Sequence, residues 1–169
     1  MYGQLKGAPT GKRYCAAMIF VDHYSRFSFC YLQESLTSAD TLKAKHAFEQ
    51  LCGTHGVQVK HYHADNGRFA DNAFISDVFA QRQEITYCGV NAHFQNGVAE
   101  KRIRDLQDLT RTSLLHATAR WPKAISVHLW PYALRTANDV LCATPRRPDG
   151  KSALELFLNT GVRPRMDVF

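Results

Sequence analysis

The chain has 169 residues, of which 45% are hydrophobic and 21% charged, and this composition is typical of a globular domain large enough to bury a core. No apolar run approaches the roughly 20 residues that a membrane-spanning helix needs, and the N-terminal segment lacks the apolar region of a signal peptide. We therefore expect an intracellular protein with no membrane partner. The net charge of +6 is too small on its own to exclude an ordinary soluble basic protein.

The five cysteines are scattered, odd in number, and form no C-x-x-C pair. This usage predicts free, reduced and mostly buried thiols rather than a disulfide framework. The residues are Cys15, Cys30, Cys52, Cys88 and Cys142.

The excess positive charge lies in the second part of the chain. Residues 1–100 carry nine basic and nine acidic side chains, whereas residues 101–169 carry twelve and six. Such asymmetry indicates a polyanionic partner, and nucleic acid is the expected one.

The first half of the chain alternates between strand and helix patterns. Two apolar, β-branched and aromatic runs separated by a short turn predict an antiparallel hairpin. A capped helical pattern ending at glycines follows, with Thr37 or Ser38 as the N-cap. The predicted strands are 13–24, 27–35, 57–64 and 85–90, and the predicted helices are 37–56 and 72–83.

The second half is predominantly helical by pattern. A loop leads into a long helix within 91–118, and a second helix is predicted over 121–145 with a kink at Pro131. Mixed strand and helix order predicts an α/β domain with a mixed sheet flanked by helices. We assign 1–145 to this domain and 146–169 to a basic extension with a short helix.

Two acids occupy positions that are useful for chemistry. Asp65 directly follows a strand, and Glu100 stands at the start of the long helix, shortly after Gly97. Strand ends and helix starts meet at the rim of α/β sheets, where sites are usually built. The alternative is that Asp65-Asn66-Gly67 is ordinary turn chemistry.

Basic residues surround Glu100, and this favours a phosphate-linked metal site. Carboxylates beside phosphate suit Mg²⁺ or Mn²⁺, and paired ions of this kind serve phosphodiester chemistry. The candidate phosphate contacts on the same helix are Lys101, Arg102, Arg104 and Arg111. The alternative is a solvated helix face on which Glu100–Arg104 and Asp108–Arg111 form ion pairs.

His61 and His63 form an H-x-H pair on one face of a predicted strand. A zinc site would need two further ligands, and no residue spacing supplies them. We interpret both histidines as structural.

Three segments together resemble the integrase catalytic core of Copia-type LTR retrotransposons, closest to the Copia-like elements of diatoms and other algae. They are "FVDHYSR" (20–26), "DNGRF" (65–69) and "QNGVAEKRIR" (95–104), with 35 positions between Asp65 and Glu100. The family pattern runs "iDdySR", "DNGGEF" and "QNGVAERKNR". The resemblance covers nearly the whole chain.

The resemblance implies a ribonuclease H-like fold and Mg²⁺-dependent DNA integration by a D-D-E triad. Asp65 corresponds to the second metal-binding Asp and Glu100 to the Glu. Asn96 lies in the loop that approaches the DNA end, and Lys101 and Arg104 lie at DNA-contacting positions. The implied partners are the element ends, the target DNA and further copies of the chain, and the implied location is the nucleus.

Three departures from the family pattern stand out. The first catalytic Asp of the family lies on an upstream strand, and here nothing acidic precedes Asp22. Gly67-Arg68 replaces Gly-Gly-Glu, and His93 stands where Pro is frequent. Asp22 is a candidate substitute for the missing acid. The main alternative is therefore a catalytically inactive fragment that keeps the fold and DNA binding, and an unrelated basic RNA-binding domain is the other.

Overall fold

The computed structural model describes residues 14–65, 67–89, 96–145 and 148–158. The first two strands, β1 (Ala16–Val21) and β2 (Ser28–Gln33), form the predicted antiparallel hairpin. In its register, Ala16 pairs with Gln33 and Val21 with Ser28. The predicted strand limits of 13–24 were too wide, because Asp22 already turns the chain.

Helix α1 (Ser38–Thr54) confirms the helix predicted after the hairpin. The Thr37 side chain caps it by accepting a hydrogen bond from the backbone N–H of Asp40. Gly53 lies inside the last turn rather than beyond it, and Gly56, at φ +70°, adopts the left-handed conformation that follows the helix.

Strands β3 (His61–Ala64) and β4 (Glu84–Tyr87) pair in parallel, and the connection between them carries helix α2 (Asn72–Ala80). β3 begins at His61 rather than at 57, because its pairing with β4 starts where Glu84 lies opposite His61. A short 3-10 turn, Arg68–Ala70, precedes α2, and the Asp71 side chain caps that helix.

Helices α3 (Gly97–Arg120) and α4 (Trp130–Ala143) form the second half of the fold. The predicted kink at Pro131 is wrong, and so is the helix start at 121. Pro131 lies in the first turn of α4, where a missing backbone N–H costs no hydrogen bond. A turn and the 3-10 segment Val127–Leu129 occupy the stretch before it.

Two cores lie on opposite sides of the β1–β2 hairpin. On one side, β1 packs against α1, with the Phe20 and Phe48 rings stacked at 4.8 Å between centroids. On the other side, Leu32 packs with Leu106 of α3 and Leu134 of α4. This layering confirms the α/β class, and the described strands form two small sheets, β1–β2 antiparallel and β3–β4 parallel.

The last described helix, α5 (Ala153–Phe157), packs into the first core. The Phe157 ring stacks on Phe27 with centroids 4.2 Å apart. The short helix predicted within 146–169 is therefore present and contacts the domain, whereas the domain boundary at 145 stays a prediction. Within the described ranges, no helix combines the length and apolarity needed to cross a bilayer.

Candidate functional site

Asp65 lies directly beyond the end of β3 and is exposed. The backbone N–H of Gly67 donates to its Oδ1 at 3.2 Å, so the turn closes onto the carboxylate. A Cβ on Gly67 would lie 3.2 Å from the same oxygen, closer than an ordinary contact. The turn that sequence reasoning treated as a rival explanation thus coexists with an exposed carboxylate at the strand end.

Glu100 lies in the first turn of α3 and is half-buried. The N-terminal end of a helix carries unpaired N–H groups and a partial positive charge, and both attract anionic groups such as phosphate. Asn96 is the N-cap of α3, but its side chain makes no capping hydrogen bond. Glu100 therefore lies at the start of the long helix, as the sequence pattern indicates, and the roles assigned to Glu100 and Asn96 stay predictions.

The parallel pairing of β3 and β4 decides which edge of the sheet carries the site. Ala64 pairs with Tyr87, and the N–H of Cys88 donates to the Ala64 carbonyl at 3.0 Å. Both strands therefore end at the same edge. Asp65 leaves this edge from β3, and the chain that leads to α3 leaves it from β4. His93 and Asn66 lie outside the described residues.

Asp22, the candidate substitute acid, is engaged in the hairpin turn. Its Oδ2 accepts hydrogen bonds from the Ser25 N–H at 2.7 Å and from the Ser25 hydroxyl at 2.6 Å. Ser25 is 1% exposed, so this contact is an integral part of the turn. The observed role of Asp22 is to close the β1–β2 connection.

One group of three potential metal ligands within 4.8 Å of one another occurs among the described residues: His46, Glu49 and Asp77. The fully buried Lys45 already lies among them, with its Nζ 2.8 Å from Glu49 and 2.6 Å from Asp77. A metal ion would have to displace this ammonium group. We therefore interpret the cluster as an ion-pair network between α1 and α2. Among the described residues, Asp22, Asp65 and Glu100 do not form a three-ligand group within the same distance.

The electrostatics of Asp77 agree with that interpretation. Partial burial would raise the pKa of its carboxyl, but hydrogen bonds from Lys45 and His46 outweigh the burial and hold the pKa below its usual range. The sequence patterns do not predict this ion-pair network. Its only local signal was the spacing of Lys45 and Glu49, which places the two side chains one helical turn apart.

The basic residues predicted on α3 separate into different environments. Lys101 is exposed and forms an ion pair with Asp105 at 3.2 Å, and Arg102 donates to the Arg26 carbonyl at 2.6 Å. Arg104 and Arg111 are exposed, as phosphate contacts would have to be. Arg102 thus lies on nearly the opposite side of the helix from Arg104 and Arg111, whereas Lys101, three residues before Arg104, lies close to their face.

An apolar cavity of about 660 Å³ lies beside the far part of this helix. Ile103 and Arg111 line it together with Ala17 of β1 and Val127 before α4. Of the predicted phosphate contacts, Arg111 therefore lies at the margin of an apolar surface. Ile103, one of its lining residues, is 39% exposed.

His61 and His63 are exposed on one side of β3, as predicted. Both contact the Thr86 hydroxyl of β4, at 2.8 and 2.9 Å. This shared partner supports the structural interpretation of the two histidines. Neither belongs to a three-ligand group in the described part of the chain.

The cysteines are free, and three of the five are buried. Burial raises the pKa of the Cys30 thiol to about 12 and that of the Cys52 thiol to about 11. Both thiols are therefore protonated at neutral pH, and this argues against a nucleophilic role for either of them.

The fold is similar to that of retroviral integrase catalytic cores. The HTLV-2 core in complex with magnesium matches with a TM-score of 0.63 and 19% identity, over 93% of this chain and 90% of that one. The BIV core matches with a TM-score of 0.59 and 20% identity, over 83% and 84% of the two chains. This likeness confirms the predicted ribonuclease H-like fold.

A larger assembly also matches. A chain of a simian T-cell lymphotropic virus intasome, in complex with the PP2A regulatory subunit B56 gamma, gives a TM-score of 0.68 at 16% identity. The match covers 95% of the present chain and 54% of that one, so this chain spans about half of its length. No protein-family model and no curated protein matches the sequence.

Proposed function

We propose that this chain is an integrase-type catalytic domain that processes DNA ends and joins them to a target DNA. The observation that carries the proposal is the combination of an integrase-core fold with two acids at the expected structural positions. Asp65 follows β3 and Glu100 lies in the first turn of α3. The sequence motifs around both acids further support a Copia-type LTR retrotransposon as the source.

The metal in this proposal is Mg²⁺, or Mn²⁺ in its place. Asp65 offers an exposed carboxylate and Glu100 a half-buried one. Hard carboxylate oxygens, with phosphate oxygens completing the shell, are the donors that Mg²⁺ takes in phosphoryl-transfer sites. When bound, the metal supplies charge stabilisation and an activated oxygen for phosphodiester chemistry. The HTLV-2 cores are in complex with magnesium, which supports this choice.

The chain's own residues have the remaining tasks. The amide of Gly67 orients the Asp65 carboxylate through its hydrogen bond. Glu100 lies in the first turn of α3, where the partial positive charge of the helix end attracts anionic groups. Exposed Arg104 and Arg111 contact backbone phosphates, so that binding depends on salt and little on sequence. Asn96, Lys101 and Arg102 are the further DNA-contacting residues of the proposal.

DNA and further copies of the chain are the proposed partners. The HTLV-2 core is known in trimeric and dimeric forms, and the simian virus chain occurs in an intasome. A nuclear location accompanies this proposal, because the DNA to be joined is there.

A catalytically inactive, DNA-binding domain is the second candidate. It is favoured by a specific observation: the Asp22 carboxylate accepts hydrogen bonds from the Ser25 N–H and hydroxyl and is engaged in the hairpin turn. In that case the chain would bind DNA without joining it, unless an acid is supplied from sequence upstream.

A strand-transfer assay in Mg²⁺ tests the proposal and separates the two candidates. The chain is assayed as it is and with an upstream extension that restores an acid-bearing strand. We expect Glu100→Gln to abolish joining and to weaken Mg²⁺ binding in calorimetry, whereas Glu84→Gln, an exposed acid of β4, changes neither. Joining by the extended form alone would show that Asp22 does not substitute. Unchanged Mg²⁺ affinity in Glu100→Gln would refute the proposed site.

A further inference from the structure

A second cavity, of about 430 Å³, lies where four parts of the fold meet. The β1–β2 turn contributes Arg26, α3 contributes its first turns from Gly97 to Asp105, α4 its last turn, and the segment before α5 contributes Lys151. The cavity is distinct from the apolar one beside Arg111. Its walls come from residues that are far apart in the sequence.

The charge of this cavity is strongly one-sided. Four cationic side chains line it and only one acid, Asp105, does so. The cationic residues are Arg26, Lys101, Arg102 and Lys151. Lys101 is paired with Asp105, whereas Arg26 and Lys151 are exposed to solvent. The N-terminus of α3 adds the partial positive charge of a helix of 24 residues whose N-cap side chain makes no capping bond.

Arg26 is held in an unusual conformation. Its φ is +65°, in the left-handed region that glycine and asparagine adopt more readily than arginine. Two contacts fix it: its N–H donates to the Asp22 carbonyl at 2.9 Å, and its own carbonyl accepts from Arg102 at 2.6 Å. A turn that would be less strained with glycine thus carries a long cationic side chain at the cavity wall.

We propose that this cavity, which we call the Arg26 cavity, binds a backbone phosphate of nucleic acid. Converging arginine and lysine side chains and a helix N-terminus form the donor set that recognises a phosphodiester. The inference rests on the proposed function and extends it: Arg26 and Lys151 lie outside the α3 residues assigned to DNA. They add a DNA contact from the hairpin turn and from the segment before α5.

The test is a salt titration of DNA binding, in EDTA so that no metal site contributes. A short fluorescently labelled duplex is titrated with the wild-type chain, Arg26→Gly and Lys151→Ala. Each lost phosphate contact should lower the magnitude of the slope of log K against log salt by about 0.9. If a variant and the wild type bind the duplex equally at about 1 M salt, this difference in slope makes the variant bind roughly fivefold more weakly at about 0.15 M salt.

Arg82→Gly is the matched control. Arg82 is also exposed and also left-handed, at φ +56°, but lies in the turn before β4, outside the cavity. Arg26→Gly and Arg82→Gly each remove one positive charge, and each replaces an arginine of positive φ by a glycine, which adopts that conformation readily. We expect Arg82→Gly to leave the slope unchanged.

Each result bears on a different conclusion. Equal effects of Arg26→Gly and Arg82→Gly would overturn the Arg26 cavity and leave the proposed activity standing. The Arg26 cavity would also be overturned as a DNA contact if Arg26→Gly weakened the binding of inorganic phosphate but not the binding of the duplex. A duplex effect specific to Arg26, in a chain that joins no DNA ends, would support the cavity while contradicting the activity. A wild-type chain that binds no duplex would contradict both.

Discussion

At the scale of single residues, the geometry around Asp65 depends on the absence of a side chain at Gly67, two positions further along the chain. The Gly67 N–H donates to Oδ1, and a Cβ at Gly67 would lie 3.2 Å from that oxygen. A sequence containing Asp-Asn-Gly is explained equally well by a turn alone. In the structure, the turn and the exposed carboxylate are parts of one arrangement, because the glycine amide holds the acid at the strand end.

Gly67→Ala should therefore displace the Asp65 carboxylate and weaken Mg²⁺ binding. We expect about tenfold lower affinity in calorimetry, the lower end of what losing the support of a metal ligand costs. Gly53→Ala is the control, because a Cβ there meets nothing within 4 Å, and its affinity should match that of the wild type. Equal affinity in the two variants would contradict the role of Gly67.

At the scale of elements, the contact between α4 and β2 shows what periodicity does not reveal. Asn138 accepts a hydrogen bond from the Ser28 hydroxyl at 2.7 Å and donates to the Ser28 carbonyl at 2.9 Å. Both residues are buried, with Ser28 at 0% exposure. The helices and strands themselves were predictable because their signals are local: alternation, caps and turn residues. The polar contact was not, because its partners are 110 positions apart.

Replacing Asn138 by Ala should lower the free energy of unfolding by about 1–3 kcal/mol, since the buried Ser28 hydroxyl and carbonyl then keep only their weaker contacts with the Cys142 thiol. Urea denaturation measures the change. Thr136→Ala, an exposed position on the same helix, should change stability by less than about 0.5 kcal/mol. A similar small change in both variants would mean that the Asn138 contact contributes little.

At the scale of the whole molecule, acid stability depends on a few paired carboxylates. The pKa of Asp77 lies below its ordinary value of 3.8 because Lys45 and His46 outweigh the opposing effect of burial. The pKa of Asp40 is also lowered, mainly by hydrogen bonds from Lys43 and Ser35. A lowered folded-state pKa stabilises the fold above the unfolded value, and this stabilisation disappears as pH falls through the folded value.

Asp77→Asn should therefore be less stable than the wild type at neutral pH, and the difference should shrink as pH falls below about 4. Urea denaturation at a series of pH values between neutral and acidic conditions measures this difference. A gap of constant size across the series would show that the Asp77 ion pair does not account for it.

The sequence by itself determined the α/β class and the structural positions of the two principal acids. These follow from local signals, because a strand end, a turn and a helix start are each encoded by neighbouring residues. It did not determine the exact start of β3 or α4. The start of β3 depends on its pairing with β4, and the start of α4 depends on the placement of Pro131 in the first turn of that helix.

Only the tertiary structure decided which charged groups meet. The ion pair between Lys45 and Asp77 and the cavity lined by Arg26 and Lys151 unite residues from separate elements, and no spacing along the chain relates them. It also decided that Asp22 closes the hairpin turn through Ser25. The physical reason is that hydrogen bonds and electrostatic interactions act over a few ångströms in space, whereas sequence patterns record only proximity along the chain.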